Sequence, residues 1–266
     1  MRNICHLFVA VFIVIALLAG GCERTQREND LLYQTSTINA LLQGVYDGNT
    51  TFKELHGYGV FGLGTFNGLD GEMVGLDGEF YQVKVDGVAY PVADSMRTPF
   101  AVVTPFESDS TLLSGNISDL TQLCQYLDSL LPTKNMFHAI RMDGVFEYVK
   151  TRSVPSQSKP YPPLAEAIEK QRVFEFHDVE GTIVGFRCPA YVEGVNVSGY
   201  HFHFITADRK AGGHVLDCSA RNVTIAIDYT PDFYMDSPET DAFYEADLGE
   251  GQQTDLEKVE KGTTHD

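Results

Sequence analysis

Basic residues are scarce in this chain of 266: 19 Lys and Arg stand against 37 Asp and Glu, a formal net charge of −18. Phosphate binding needs clustered Lys and Arg, and no basic stripe runs along the sequence, so a nucleic-acid partner is excluded. The plain role of the acidity is solubility. Long hydrophobic runs are missing too. The longest, Leu7 to Ala19, falls short of the roughly 20 apolar residues that a helix needs to cross a bilayer. Cysteines are few: with Cys5 and Cys22 set aside as part of a leader, Cys124, Cys188 and Cys218 remain. An odd set without paired spacing excludes a disulfide framework. There is no His-Glu-x-x-His and no glycine-flanked serine motif, which counts against a protease or esterase.

What the N-terminus does have is an export signal. Arg2 supplies the positive start, and Leu7 to Ala19 has the length of a signal-peptide core. Ala19-Gly20-Gly21-Cys22, followed by a polar tract, resembles a bacterial lipoprotein cleavage site, although Leu18 lies one place further back than usual. The expectation is a signal peptide over 1–22, Cys22 as lipidated N-terminus, and a linker over 23–32. The product would be exported, touching a membrane only through its lipid, or released as a periplasmic or secreted protein.

Apolar residues make up 43% and the chain has 24 glycines, so a globular, β-rich α+β fold is expected. Thr37 or Ser36 can cap a helix to about Tyr46, and Ser118 one that carries Leu120, Leu123, Leu127 and Leu130. Short apolar runs between Gly57 and Phe106 read as strands. Met136 to Met142 and Val145 to Thr151 read as two strands joined at Asp143-Gly144. Pro163 opens a third helix to about Gln171, and a second strand-rich block follows. These elements divide into two sheet-rich lobes of mixed or antiparallel strands, 33–172 and 173–248, with an acidic tail over 249–266. Composition alone would make that tail disordered. Phe66 to Gly75 also echoes Phe176 to Gly185, compatible with duplicated halves or with shared turn chemistry.

The most informative segment is Gly199-Tyr200-His201-Phe202-His203-Phe204-Ile205-Thr206. In a strand, side chains alternate faces, so Tyr200, Phe202 and Phe204 share one side and His201 and His203 the other. Aromatics packed in a core leave two imidazoles side by side, a rigid half-site for a transition metal. Ala207 to Gly213 reads as a turn before His214. Opposing Ile205 to His214, or a bulge at Gly212-Gly213, would bring His214 diagonal to His203 on the ligand face. Exposed histidines are common on strands; a catalytic site also needs an acidic partner and an open position.

These residues, with Asp208 and Gly212-Gly213-His214-Val215-Leu216, resemble the zinc-site signature of the alpha-acetolactate decarboxylases. Tyr33 to Leu41 resembles that family's opening helix, and Gly62 to Met73 its glycine-rich motif. Arg152-Ser153-Val154-Pro155 with Lys159-Pro160-Tyr161-Pro162 is similar to its arginine loop. The resemblance implies a homodimeric carboxy-lyase that converts (S)-2-acetolactate, a 2-hydroxy-3-keto acid, to (R)-acetoin and CO2 through a metal-stabilised enediolate. It implies Zn2+ or another divalent transition metal on His201, His203, His214 and Glu72. A tail glutamate would fold back to the metal, either Glu260 by ungapped counting or Glu257. Catalytic roles would fall to Arg152, Glu72, Glu260 and Thr65. Two other readings stay open: another metal-dependent hydrolase or oxygenase, and a noncatalytic metal-binding lipoprotein.

Overall fold

Alternating apolar residues bury one face of a strand, and here two sheets bury such faces against each other. The computed structural model describes residues 30–249 and 252–261. The segment expected to be a signal peptide, with Cys22, lies outside the described residues. In chain order come β1 (Leu31–Thr35), α1 (Ile38–Leu42), β2 (Thr50–Thr51), α2 (Phe52–His56), β3 (Phe61–Thr65), β4 (Glu72–Leu76), β5 (Glu79–Val83) and β6 (Ala89–Pro91). Next are β7 (Arg97–Thr98), β8 (Ala101–Thr104), β9 (Ser110–Leu113), β10 (Asn116–Ile117), α3 (Leu120–Leu130), β11 (Phe137–Ser153) and α4 (Leu164–Ala167). The rest are β12 (Arg172–Cys188), β13 (Gly199–Thr206), β14 (Gly212–Arg221), β15 (Thr224–Thr230), β16 (Asp232–Asp236), α5 (Asp241–Glu245) and α6 (Gln253–Lys261). The α+β class with mixed and antiparallel sheets is as expected.

The first sheet runs β16-β1-β8-β3-β4-β5-β6, mixed because β1 and β16 are parallel. The second runs β10-β14-β13-β12-β11-β15-β9, and β14 also pairs with β11. That extra pairing closes β11, β12, β13 and β14 around an apolar interior of Phe146, Phe202, Phe204 and Val215, covered by Leu123 and Leu127 of α3. Between the sheets lies a second apolar layer, with Leu63 and Val74 from one side and Val184, Phe186 and Ile205 from the other. The far face of the first sheet packs Met73, Phe80 and Val103 against Phe52 and Leu55 of α2.

Several boundaries differ from the sequence reading. The expected division at 172/173 falls inside the second sheet, because β11 and β12 pair from His138↔Arg187 to Ser153↔Arg172. Membership changes between β8 and β9, and β16 returns to the first sheet. Leu31 and Leu32, expected to end a linker, already belong to β1, and Leu32 is fully buried. Asp143-Gly144 is not a turn but the middle of β11. Gly144 sits there for closeness: a Cβ would meet Val223 at 2.9 Å, and one on its cross-strand partner Gly181 would meet the Phe204 ring at 2.5 Å. The cap of α3 is Asp119 rather than Ser118, its carboxylate accepting the Gln122 N–H at 2.8 Å. The echoing stretches take different backbones. One is a 3-10 turn at Asn67–Leu69 leading into β4, whereas the other is continuous strand in β12.

Within the acidic tail the described residues 252–261 carry α6, where Leu256 and Val259 are buried in the layer between the sheets. Residues at i and i+3 share a helix face, so two apolar side chains suffice to dock this polar helix. Full burial of each contributes about 1.5–3 kcal/mol.

Candidate metal centre

Strand alternation decides which residues reach the layer between the sheets. On β13, Phe202 and Phe204 point into the closed interior, so His201, His203 and Ile205 point towards the first sheet. On β4, Met73 faces α2, so Glu72 and Val74 face the second sheet. His214 arrives opposite His203, with Gly213 opposite Phe204 and Gly212 opposite Ile205. The expected register, with Ile205 opposite His214, is therefore two residues off, although the face is the expected one. The turn is shorter than expected because Thr206 organises it. Its hydroxyl accepts the Ala211 N–H at 3.1 Å, and its own N–H donates to the Ala211 carbonyl at 2.9 Å. This leaves both glycines in the strand. Gly213 has φ +137, and a Cβ there would lie 2.5 Å from the Arg152 carbonyl. Glycine thus lets β14 approach β11, where His214 pairs with Arg152.

The three histidines converge, each offering a ring nitrogen within 4.8 Å of the others. His201 Nε2 is 3.1 Å from His214 Nδ1. His203 Nδ1 lies 2.7 Å from the Met73 carbonyl, which can only accept, so Nδ1 carries the proton and Nε2 a lone pair. By the same logic His214 Nε2–H donates to the Glu260 carbonyl at 3.3 Å, turning the Nδ1 lone pair inward. His203 Nε2 and His201 Nδ1 are buried with no hydrogen-bond partner among the described residues. Burial pushes all three imidazoles below the usual histidine range, His203 to about 3, and the neighbouring Arg152 cation reinforces this. Neutral, converging imidazoles, each oriented by a hydrogen bond at one ring nitrogen, are a transition-metal donor set. The residues fit a divalent ion.

Two carboxylates and one guanidinium complete the cluster. Glu72 Oε2 is 3.7 Å from His203 Nε2, and Glu260 Oε2 is 3.9 Å from both His201 Nε2 and His214 Nε2. Glu257 is exposed; of the two tail glutamates, Glu260 faces the histidines. Arg152 donates from Nη1 to Glu72 at 3.2 Å and from Nη2 to the Val259 carbonyl at 3.4 Å, so it also ties α6 down. Burial raises the Glu72 carboxyl, partly offset by Arg152. Burial also raises Glu260, to about 7, with Arg152 opposing and Glu72 adding to the shift. Thr65 is buried, and its hydroxyl donates to the Gly71 carbonyl at 2.7 Å, fixing the turn that delivers Glu72. His201, His203, His214, Glu72, Glu260, Arg152 and Thr65 thus border one chamber of about 40 Å³ between the sheets, and Glu257 does not.

What the sequence reading missed is the wall and one backbone group. Phe100, Val154, Leu164 and Val259 close the chamber, and as apolar residues they look like any others. The Met73 carbonyl that sets the His203 tautomer has no side-chain signature. On its other side the cluster borders an open groove of about 1110 Å³, which shares His201, His214 and Glu260 with the chamber.

The family model described as "Alpha-acetolactate decarboxylase" matches residues 32–250. The chain belongs to the alpha-acetolactate decarboxylase family. It is 55% identical over 233 residues to the alpha-acetolactate decarboxylase of Methanosarcina mazei, covering 88% of this chain and 81% of that one. With the Bacillus subtilis protein of the same name it shares 46% over 217 residues, 82% of this chain and 85% of the other. The crystal structure of alpha-acetolactate decarboxylase from Bacillus subtilis strain 168 superposes with a TM-score of 0.85 at 43% identity. That match covers 88% of this chain and all of the other. The chain is thus an enzyme of a carboxy-lyase family, as the sequence resemblance implied.

Proposed function

We propose that this chain decarboxylates (S)-2-acetolactate to (R)-acetoin and CO2 with a divalent transition metal, zinc the expected ion, on His201, His203 and His214. The observation that carries the reading is the convergence of three neutral imidazoles, a guanidinium and two carboxylates on one chamber between the sheets. Losing CO2 from a 2-hydroxy-3-keto acid breaks a C–C bond and leaves its electron pair on C2. The pair delocalises into the neighbouring ketone as an enediolate, and a proton must then return to carbon. A bound metal would supply Lewis acidity towards that developing negative charge. Arg152 offers the substrate carboxylate a buried bidentate partner, while its contact with Glu72 holds the guanidinium in place. Glu260, its carboxyl pushed up to about 7 by burial, lies beside the histidines, the arrangement needed to move a proton to carbon. Glu72 serves as a further ligand and as a relay partner. The apolar wall of Leu41, Phe100, Val154 and Leu164 keeps bulk water from the carbanion.

Metal-loaded protein given racemic acetolactate should release acetoin and CO2, stop on chelation and resume with zinc. A fully loaded protein that releases neither overturns the proposal. Export, lipidation at Cys22 and a homodimer belong to the same reading. Acyl labelling lost in Cys22→Ala, and sedimentation equilibrium, test them.

A further inference from the structure

The groove that leads to the histidines is lined by acidic residues, including Asp119, Asp128, Glu175 and Asp217. For a substrate that carries a carboxylate this wall is repulsive. A single Lys or Arg lines the groove among the described residues, and it is Lys150. Each of those acids is already engaged. Asp119 caps α3, and Glu175 accepts the Tyr148 hydroxyl at 3.1 Å. Asp128 accepts the Tyr200 hydroxyl at 2.9 Å and pairs with Lys134. Asp217 accepts the Leu120 and Cys218 N–H groups, each at 2.9 Å. Lys150 lies across from Asp217 in the β11–β14 register, yet no carboxylate among the described residues comes within 4.0 Å of its ammonium. Lys150 also stands two residues before Arg152 on β11. Residues at i and i+2 of a strand share a face, about 7 Å apart.

We propose that Lys150 recruits the substrate carboxylate into the groove and passes it to Arg152, making the site selective for anionic 2-hydroxy acids. The inference rests on the function proposed above. Lys150 is half-buried, and although Glu175 and Asp217 lie across from it in the β12 and β14 registers, neither pairs with its ammonium, which is the one Lys or Arg head lining the groove among the described residues. Arg152 lies deeper, within the chamber, and its guanidinium is already bonded to Glu72. An anion entering the groove therefore meets Lys150 first. This is a docking and specificity role; Lys150 takes no part in breaking the bond.

The test compares metal-loaded wild type, Lys150→Gln and Lys150→Arg by calorimetry with two probes that cannot react, 2-hydroxyisobutyrate and its uncharged amide. At low salt, Lys150→Gln should weaken binding of the acid roughly three- to fivefold, the upper range for an exposed charge pair. The amide should bind unchanged, Lys150→Arg should retain most of the affinity, and the difference should vanish at about 0.5 M salt, where charges are screened. Under turnover, KM for acetolactate should rise by the same factor while kcat holds. Equal weakening of acid and amide, or no change at low salt, overturns the assignment. A wild type that binds the acid through Lys150 but releases no CO2 would instead sink the function and leave the docking role standing.

Discussion

Two buried carboxyl groups, one at each of two places in the second sheet's surroundings, are raised to about 7: Glu260 on α6 and Asp228 on β15. Both owe the shift first to burial, and both have acidic neighbours. Their companions differ. Glu260 faces His201, His214 and the field of Arg152. Asp228 accepts the Glu107 N–H at 3.1 Å and feels only Asp109, Asp30 and Glu107. A perturbed carboxyl marks buried structure as readily as chemistry. What separates the two regions is convergence of ligand nitrogens and a cation upon one chamber, which the Asp228 neighbourhood lacks among the described residues.

The sharpest way to break this contrast is to remove a ligand. His203→Ala should release the metal, measured by elemental analysis of dialysed protein, and lower kcat/KM by ~10³-fold or more. Lewis-acid stabilisation is worth several kcal/mol, and each 1.36 kcal/mol is about tenfold in rate. An active His203→Ala enzyme with full metal content would mean that the histidines are structural. The second test separates the tail glutamates. Glu260→Gln should cost roughly 10²–10⁴-fold in kcat, the range of general acid catalysis. Glu257→Gln, on the exposed side of the same helix, should stay within about twofold, with surface substitutions costing little. Equal losses would show that the helix matters only as a cover.

How much of this was legible beforehand follows from the physics of each element. The His201/His203 pair was readable because strand alternation is strictly period two, and the flanking aromatics name the buried face. The register of His214 was not, because it depends on whether Gly212 and Gly213 lie in the turn or the strand. The Thr206 hydroxyl settles that, and it has no sequence signature. Asp143-Gly144 has the composition of a turn, although Gly144 serves close packing against Val223; the same residue type answers both needs. The tail looked disordered because two apolar side chains, Leu256 and Val259, hold an otherwise polar helix. Glu72, Arg152 and Glu260 came from family resemblance: they lie far apart in the chain, and only the stacking of two sheets brings them together. The return of β16 to the first sheet was invisible for the same reason, since strand pairing is a tertiary choice.

The smallest expected effect tests the other half of the contrast. In the unfolded chain Asp228 titrates near the ordinary 3.8, whereas in the fold it holds its proton to about 7. Between those values the native state binds the proton more tightly, so its contribution to stability is complete below pH 3.8. It is lost as pH rises through 7. Asp228→Asn keeps an oxygen to accept the Glu107 N–H but cannot ionise. The variant should match wild type near pH 4 and gain stability on it steadily towards pH 8, by about 1–3 kcal/mol, read as a difference in Tm. Glu260 and Glu72 also titrate with raised values, but they are common to both proteins and cancel in that difference. Activity per folded molecule should not change, because Asp228 borders neither the chamber nor the groove. Parallel stability curves for the two proteins would show that the Asp228 carboxylate is solvated or paired in the native state. A fall in kcat without loss of stability would mean that the two raised carboxyls belong to one functional system after all.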